Sequence, residues 1–210
     1  MIKLGDENIS YNSRPYVIAE IGVNHENSID KAIELIDLAK SGGASAVKFQ
    51  SYKANTLASQ NSPAYWDTSK EKTLNQYQLF KKYDHFAFAE YKILADHCKK
   101  VNIAFSSTPF DEESVDYLEN LVSFYKIASS DITCKPLLQK IGSKQKPVII
   151  STGCSNYDEI DFALKILMDS GVTQIAILHC ILNYPTLDKN ANLEMIHHLK
   201  SRYSKNIIGY

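Results

Sequence analysis

Short apolar segments alternate with amphipathic helical segments along almost the whole sequence, and this alternation restricts the fold more than any other feature. Seven segments are strand-like: YVIAEIG, SAVKFQ, IAFSST, FYKIAS, PVIIST, QIAILHC and NIIGY. Because most of them are apolar throughout rather than at every second residue, they are typical of parallel strands that are covered on both faces. The pattern predicts an α/β protein, either a doubly wound open sheet or a (β/α)8 barrel.

The residues at the strand ends favour the barrel. No GxGxxG motif follows the first of these strands, where the sequence continues as EIGVNHEN, so a dinucleotide-binding sheet is not indicated. Polar residues end nearly every strand instead, and they are Glu20, Lys48–Gln50, Ser106–Thr108, Lys126–Ser129, Ser151–Thr152 and His179. In a barrel, such residues assemble one site at the carboxyl ends of the strands. We therefore predict a (β/α)8 fold of the TIM-barrel type.

The predicted barrel is incomplete. A closed barrel has eight strands and about 250 residues, whereas this sequence has 210 residues and seven strand-like segments. We expect about six βα units and the start of strand seven over residues 17–210, with open sheet edges that suit a fragment of a longer enzyme. Residues 1–16 contain a Gly-Asp turn between two short alternating runs, which predicts an N-terminal β-hairpin.

A long segment without a strong helix or strand pattern, Ser51–Tyr83, separates the second and third of these strands. Connections of this length in a compact domain are usually functional or disordered. This one contains Trp66 together with Tyr65, Tyr77 and Tyr83, which is too aromatic a composition for a disordered linker. We predict an ordered lid beside the site, and packing over the outside of the barrel is the alternative.

Charge and composition argue against several classes of function. The formal net charge is -1 and the basic residues are scattered, so the sequence does not predict a nucleic-acid surface. It has no apolar run of about 18 residues and no secretory signal pattern, which predicts a cytoplasmic protein that does not enter a membrane. The four cysteines form no CxxC pair and the six histidines form no HExxH motif, so we predict reduced thiols and no metal site within these residues.

Two lysines inside apolar strands indicate an anion site. Lys48 lies in SAVKFQ and Lys126 in FYKIAS, and lysine is rarely buried without a partner. Its compact ammonium group suits a phosphate or a carboxylate. Hydroxyl groups at the ends of other strands could add donors to the same anion, and they belong to Ser107, Thr108, Ser129, Ser130, Ser151 and Thr152. A lysine that forms a Schiff base, as in class I aldolases, is the alternative chemistry.

Glu20 and two histidines are further candidates for a role in the site. The carboxylate of Glu20 could take a proton or hold a sugar hydroxyl, and an ion pair with Lys48 or Lys126 would explain it equally well. We interpret His25 as a hydrogen-bonded structural residue. His179 ends a strand and is the best histidine candidate for a functional role.

Seven stretches together resemble the sialic acid synthase family, whose members condense phosphoenolpyruvate with an N-acylated hexosamine. These stretches are IAEIGVNH, AVKFQ, SSTPFD, YKIASSDIT, IISTG, LHCILNYPT and the terminal IIGY. The segment SPAYWDTSKEKTLNQYQLFKKYDHF is similar to the branch that makes legionaminic acid and related nonulosonates. The resemblance implies a (β/α)8 barrel followed by a small antifreeze-like domain, in a domain-swapped homodimer.

The resemblance also implies roles for individual residues. Glu20 is implied as the catalytic residue near the reacting end of the sugar, Lys48 as the partner of the phosphoenolpyruvate carboxylate, and Tyr184 as a sugar contact. The implied phosphate contacts are Thr108, Lys126, Ser129 and Ser151. Many synthases have a further asparagine where this sequence has Leu182, and the adjacent Asn183 is expected to replace it.

A divalent metal, Mn or Mg, is implied as the Lewis acid that polarises the sugar aldehyde. In the family its histidine ligands follow IIGY, so we expect them beyond residue 210, together with the small domain. The implied reaction is attack of the phosphoenolpyruvate methylene carbon on the aldehyde, then attack of water and loss of phosphate by C–O cleavage. We expect the 210-residue chain to be inactive alone, and a non-catalytic fragment is the remaining alternative.

Overall fold

The computed structural model describes all 210 residues, which divide into two compact units. One unit is Val17–Val122, and the other combines Met1–Tyr16 with Ser123–Tyr210. Each unit has its own parallel sheet and its own buried apolar residues.

The chain contains nine strands, seven of which run parallel to their neighbours. They are β1 (Ile2–Leu4), β2 (Glu7–Ile9), β3 (Ile18–Gly22), β4 (Ala46–Ser51), β5 (Ala104–Pro109), β6 (Tyr125–Ile127), β7 (Val148–Ser151), β8 (Ile175–Leu178) and β9 (Ile207–Gly209). β1 and β2 form the predicted hairpin, with Ile2 opposite Ile9. The parallel strands form a β3-β4-β5 sheet in one unit and a β6-β7-β8-β9 sheet in the other. The predicted α/β class is confirmed, and the incomplete barrel remains a prediction.

Eight helices connect the strands. They are α1 (Ile29–Ser41), α2 (Ala54–Leu57), α3 (Gln76–Tyr83), α4 (Phe88–Lys100), α5 (Glu112–Leu118), α6 (Lys135–Gly142), α7 (Tyr157–Asp169) and α8 (Met195–Arg202). None of these helices combines the length and the apolar character needed to cross a lipid bilayer. Short 3-10 turns at Ser129–Asp131 and Asp188–Asn190 complete the regular structure.

The unit Val17–Val122 has its core around β4. Val47 and Phe49 are two residues apart on the same face of this strand, and both are fully buried. Ile36 of α1 and Leu94 of α4 are fully buried as well. Burial of each such side chain contributes about 1.5–3 kcal/mol, so these helices are held mainly by their apolar faces.

The other unit is built in the same way around β6 and β7. Ile127 and Ile150 are fully buried, and Leu138 of α6 and Leu167 of α7 are buried with them. All four cysteines of the chain are free thiols, as the sequence predicts.

The helix ends show how local sequence sets the boundaries. Ser28 accepts a hydrogen bond from the backbone N–H of Lys31, as predicted for the start of α1. For α7 a capping box from Ser155 to Asp158 is expected from the spacing, and this expectation is wrong by one residue. Asn156 Oδ1 accepts from the N–H of Glu159 at 3.0 Å, and Glu159 Oε2 accepts from the N–H of Asn156 at 2.8 Å. The side chain of Glu159 is longer than that of Asp158 and reaches the backbone N–H of the cap residue. The capping box therefore forms between Asn156 and Glu159.

The long connection, which we define as Tyr52–Phe86, is ordered, as predicted. It contains α2 and α3, and Pro63 pairs with Asn75 in an isolated β-bridge. The indole N–H of Trp66 donates to the carbonyl of Glu71 at 3.1 Å. Its function as a lid remains a prediction.

We expect Asn156→Ala to lower the free energy of unfolding by about 1 kcal/mol, because the backbone N–H of Glu159 loses its side-chain acceptor at the start of α7. Urea denaturation followed by circular dichroism measures this change. Ser155→Ala is the matched control, since the Ser155 hydroxyl reaches only the carbonyl of Gly153 at 3.5 Å. A larger loss for Ser155→Ala than for Asn156→Ala would contradict the assignment of the cap.

Candidate active site

The register of the β3-β4-β5 sheet brings five polar side chains to one face, and we call them the Glu20 cluster. Glu20 pairs with Lys48, Lys48 with Ser106, and Gln50 with Thr108. Residues paired in register share a face, and so do residues two apart on one strand. The carboxyl-terminal part of this sheet therefore carries a carboxylate, an ammonium group, an amide and two hydroxyls together.

An ion pair lies at the centre of the Glu20 cluster. Lys48 Nζ is 2.5 Å from Glu20 Oε2 and donates to Thr108 Oγ1 at 3.1 Å. The lysine side chain is 13% exposed and the glutamate side chain 48%. The ion pair considered for Glu20 from the sequence is confirmed, with Lys48 as the partner. Because the carboxylate is half exposed, solvent weakens the pair, and the pair is accessible to a ligand.

Ser106 is the one member of this cluster whose buried hydroxyl has no hydrogen-bond partner. It is fully buried beside Lys48 in the sheet. A buried polar atom without a partner in a native protein is unusual. On the face that carries Lys48 and Thr108, this hydroxyl is one more donor that a bound anion could use.

Glycine at position 22 is required by the position of Glu20. The pairing of β3 with β4 shifts between Glu20 and Gly22, and Gly22 has a φ of +58°. A Cβ atom on Gly22 would lie 3.0 Å from Glu20 Oε1 and 3.5 Å from Gln50 Nε2. The glutamate carboxylate therefore folds back over its own strand beside the Gln50 amide, a residue to which the sequence analysis gave no separate role.

A second cluster, which we call the Lys126 cluster, lies in the other unit and consists of Lys126, Ser129, Asp131, Ser151 and Gly153. Lys126 is only 7% exposed. Its Nζ donates to the carbonyl of Ile127 at 2.7 Å and to Ser151 Oγ at 2.6 Å. The predicted buried lysine with a hydroxyl from the next strand is thus present.

The backbone of Gly153 brings a second hydroxyl into the Lys126 cluster. A Cβ at residue 153 would lie 3.1 Å from Ser129 Oγ, which is tighter than an ordinary contact. A side chain at residue 153 would force the Ser129 turn to move by a few tenths of an ångström, so glycine favours this close approach to the end of β7. The two hydroxyls that the family resemblance implies as phosphate contacts, Ser129 and Ser151, are therefore both part of this cluster.

Three other strand-end hydroxyls have structural partners instead. Ser107 shares a 2.6 Å hydrogen bond with Ser51, Thr152 donates to the carbonyl of Leu178 at 2.9 Å, and Ser130 donates to Asp131 at 3.2 Å. Ser107 and Thr152 follow or precede cluster members directly in the chain, and their side chains bond to groups outside the clusters. Ser130 instead donates to Asp131, a member of the Lys126 cluster. Of the hydroxyl groups that the sequence predicts for an anion site, Thr108, Ser129 and Ser151 remain candidates. Ser106 is a further candidate.

Asp131 is a candidate that sequence reasoning missed. Burial raises the pKa of its carboxyl group to about 6, and the Ser130 hydrogen bond and the charge of Lys126 only partly oppose this effect. A carboxyl group that titrates near neutral pH beside a cationic site is typical of proton transfer. The only sequence signal was its place in the SSD turn directly after β6.

The two remaining candidates lie in the loop that follows β8. Tyr184 is 88% exposed, and the side chain of Asn183 is exposed as well. The carbonyl of Asn183 accepts a hydrogen bond from Thr186 Oγ1 at 2.7 Å. The loop is therefore locally ordered, and the roles of both side chains remain proposals.

Comparison with known proteins identifies the family. A sequence model of the NeuB family matches residues 35–210. The chain belongs to the NeuB family. An N,N'-diacetyllegionaminic acid synthase of Campylobacter jejuni is 40% identical over 200 residues, which are 92% of this chain and 59% of that protein. An uncharacterised protein of Methanocaldococcus jannaschii is 40% identical over 204 residues, which are 97% of this chain and 57% of that protein.

A solved NeuB-type structure has the same fold. It is an N-acetylneuraminic acid synthetase of Leptospira borgpetersenii in complex with citrate, with a TM-score of 0.87 and 34% identity. The match covers 100% of this chain and 68% of that one. The chain thus spans a little over half the length of the two sequence relatives and about two thirds of the crystallised synthetase.

The histidines of this NeuB chain do not form a metal centre. His25 is buried against Phe49, whose side chain is on the opposite face of β4 from Lys48. His179 is buried and its Nε2 is 2.8 Å from the carbonyl of Ala191. The structure contains no group of three or more histidine, cysteine, aspartate or glutamate side chains that could hold a metal ion. The residues present therefore do not fit the divalent metal that the family resemblance implies.

We expect Asp131→Asn to stabilise the protein at neutral pH. Because the folded-state pKa of Asp131 is raised to about 6, the folded protein holds a proton that the unfolded chain releases between pH 4 and 6. Stability therefore falls as the pH rises through this window, and the full cost is present above it. Removing the charge should raise the free energy of unfolding at pH 7.5 by about 1–2 kcal/mol.

Thermal unfolding of both proteins at pH 4 and pH 7.5 measures this effect. The gain should shrink toward zero at pH 4, where the native carboxyl group is already protonated. Asp188→Asn, which changes an exposed aspartate of the same unit, is the control. An equal gain at both pH values would contradict a raised pKa as the cause.

Proposed function

We propose that this protein catalyses the condensation of phosphoenolpyruvate with an N-acylated hexosamine to give a nonulosonic, sialic-type acid. The observation that carries the proposal is the burial of Lys126 beside Ser151, in a cluster that Gly153 keeps open to Ser129. Membership of the NeuB family and relatives that are named as synthases support the same reaction.

The Lys126 cluster suits a phosphate group. An ammonium group with hydroxyl donors around it supplies charge-assisted hydrogen bonds to phosphate oxygens. Such preorganised donors stabilise the charge that develops on a leaving phosphate and need little rearrangement during the reaction. In our proposal Lys126, Ser129 and Ser151 bind the phosphate of phosphoenolpyruvate, with Asn183 of the same unit as a further contact.

The Glu20 cluster suits a carboxylate and a sugar. Lys48 already binds one carboxylate, that of Glu20, at 2.5 Å. We propose that a substrate carboxylate displaces Glu20 from Lys48 and that Glu20 then acts at the reacting end of the sugar.

The proposed chemistry has two stages, and the residues of this chain contribute binding, orientation and proton transfer. The π electrons of the phosphoenolpyruvate double bond form a bond from its methylene carbon to the sugar aldehyde carbon, whose oxygen takes a proton, and the phosphate-bearing carbon becomes an oxocarbenium ion. Water then attacks this carbon and loses a proton to give a tetrahedral intermediate. The phosphate leaves with the electrons of its C–O bond, and loss of the remaining hydroxyl proton gives the ketone. In our proposal Asp131, whose pKa burial raises to about 6, exchanges a proton with the phosphate bound by Lys126. No step is assigned to a metal, because no residues of this chain fit one.

The hydrogen bonds of both lysines favour anion binding over the Schiff-base alternative. A Schiff-base lysine attacks a carbonyl carbon as a neutral amine. Lys48 is bound to a carboxylate and a hydroxyl oxygen, and Lys126 donates to a carbonyl and a hydroxyl oxygen. Borohydride treatment in the presence of a carbonyl substrate should therefore trap no lysine adduct, and mass spectrometry of the intact protein checks this.

We expect Lys126→Met to weaken phosphoenolpyruvate binding at least tenfold, because each charge-assisted hydrogen bond contributes about 1.5–3 kcal/mol and 1.4 kcal/mol is tenfold in affinity. Isothermal calorimetry with phosphoenolpyruvate and with inorganic phosphate measures both dissociation constants. Lys135→Met is the matched control, since Lys135 is an exposed lysine at the start of α6 in the same unit.

Equal affinities for the wild type and Lys126→Met would contradict the phosphate assignment. The reaction itself is tested by phosphate release from phosphoenolpyruvate in the presence of manganese. The candidate acceptors are N-acetylmannosamine and a 2,4-diacetamido hexose, tested with the chain and with a version extended to the family's full length. Release with neither acceptor in the extended protein would overturn the proposed function.

A further inference from the structure

His25 is a buried residue that the proposed chemistry does not use. It lies in the turn after β3, it is 1% exposed, and its Nδ1 accepts a hydrogen bond from the backbone N–H of Asn27 at 3.1 Å. Burial lowers the pKa of His25 to about 4, with a smaller contribution from Lys31. The imidazole is therefore neutral near pH 7 and can pack as an aromatic ring.

The ring of His25 stacks on the last residue of the long connection. Its centroid is 4.1 Å from that of Phe86, with an angle of 11° between the rings. Phe86 packs edge-on against Tyr91, and the Tyr91 hydroxyl donates to the carbonyl of Gln50 at 2.6 Å. This series of rings joins the turn after β3, the end of the long connection and the end of β4 that carries the Glu20 cluster.

Further hydrogen bonds hold both ends of the long connection at the same place. Asn27 Nδ2 donates to the carbonyl of Lys82 at 2.9 Å. Lys53 Nζ donates to the carbonyls of Asp84 and Phe86 at 2.7 Å and 3.0 Å, and the Asp84 carboxylate accepts from the N–H of Ala54 at 3.0 Å. The first and last residues of the connection are thus fastened to each other and to the His25 turn.

We propose that His25 is a positioning residue, whose ring fixes the long connection beside the Glu20 cluster and so sets the affinity of that cluster for its anionic ligand. The proposal deepens the proposed function, because the ligand is the one assigned to Lys48. Without the stack, Phe86 would lose its contact with the His25 ring. Because Phe86 packs against Tyr91 and the Tyr91 hydroxyl donates to the carbonyl of Gln50, the end of β4 at Gln50 would then be held less firmly. The ring acts through its neighbours and does not touch the ligand.

The chain offers a reporter at the right place, because Trp66 in the long connection is its only tryptophan. The emission of this tryptophan, excited selectively over the tyrosines, and its quenching by acrylamide therefore report on the long connection alone. His25→Phe keeps an aromatic ring and removes the acceptor for Asn27. His25→Asn keeps a side-chain acceptor at the turn and removes the ring. His85→Phe, at an exposed position beside Phe86, is the control.

We expect His25→Asn to raise the acrylamide quenching constant about twofold, as local opening exposes the connection, and to weaken phosphoenolpyruvate binding about tenfold. His25→Phe should retain both properties of the wild type, and His85→Phe should change neither. If His25→Asn does not fold, Phe86→Leu removes the same stack from the other partner and should give the same two changes.

Wild-type quenching and affinity in His25→Asn, or in Phe86→Leu where that variant replaces it, would overturn the proposal. A loss in His25→Phe as large as that in His25→Asn would overturn it too, because the acceptor and not the ring would then be responsible. If the wild type binds no phosphoenolpyruvate, the proposed function fails. The quenching constants, which need no ligand, then still decide whether His25 positions the connection.

Discussion

A charged lysine can be buried in a strand only where polar atoms replace the water around its ammonium group, and this requirement shapes both clusters. Lys48 is surrounded by the Glu20 carboxylate and the Thr108 hydroxyl, and Lys126 by a backbone carbonyl and Ser151. Each partner comes from the lysine's own strand or a neighbouring strand of the same parallel sheet. The hydroxyl-rich strand ends are therefore the condition that allows these lysines to lie inside apolar strands.

The parts of the structure that the sequence could predict are those determined by local pattern or by strand register. The seven parallel strands follow from short apolar runs, and the start of α1 follows from Ser28 before a helical repeat. The ion pair between Glu20 and Lys48 was one of two alternatives, and it is realised because parallel pairing places these two residues in register. In each of these cases the information lies in a few neighbouring residues or in one strand pair.

The features that the sequence does not predict depend on burial, or on which of two local arrangements the backbone adopts when the sequence allows both. Two capping registers were open at α7, and only the reach of the Glu159 side chain separates them. Asp131 owes its raised pKa to its surroundings in the fold, which no residue spacing shows. His25 follows the strand that carries Glu20, yet its ring packs on Phe86 and Phe49, away from the face that carries Lys48. Adjacency in sequence is therefore a weak guide to which side of a sheet a loop residue will reach.

At Gly22 the lack of a side chain determines the arrangement of the site, because it leaves room for the Glu20 carboxylate. Glu20 Oε1 lies 3.0 Å from the point where the first carbon of a side chain at residue 22 would stand. A single added methyl group would thus compete with the carboxylate for space and exchange an electrostatic contact for a steric conflict. The position of the Glu20 carboxylate therefore depends in part on residue 22, which has no functional group in a side chain. A ranking of residues by the reactivity of their side chains would not select Gly22.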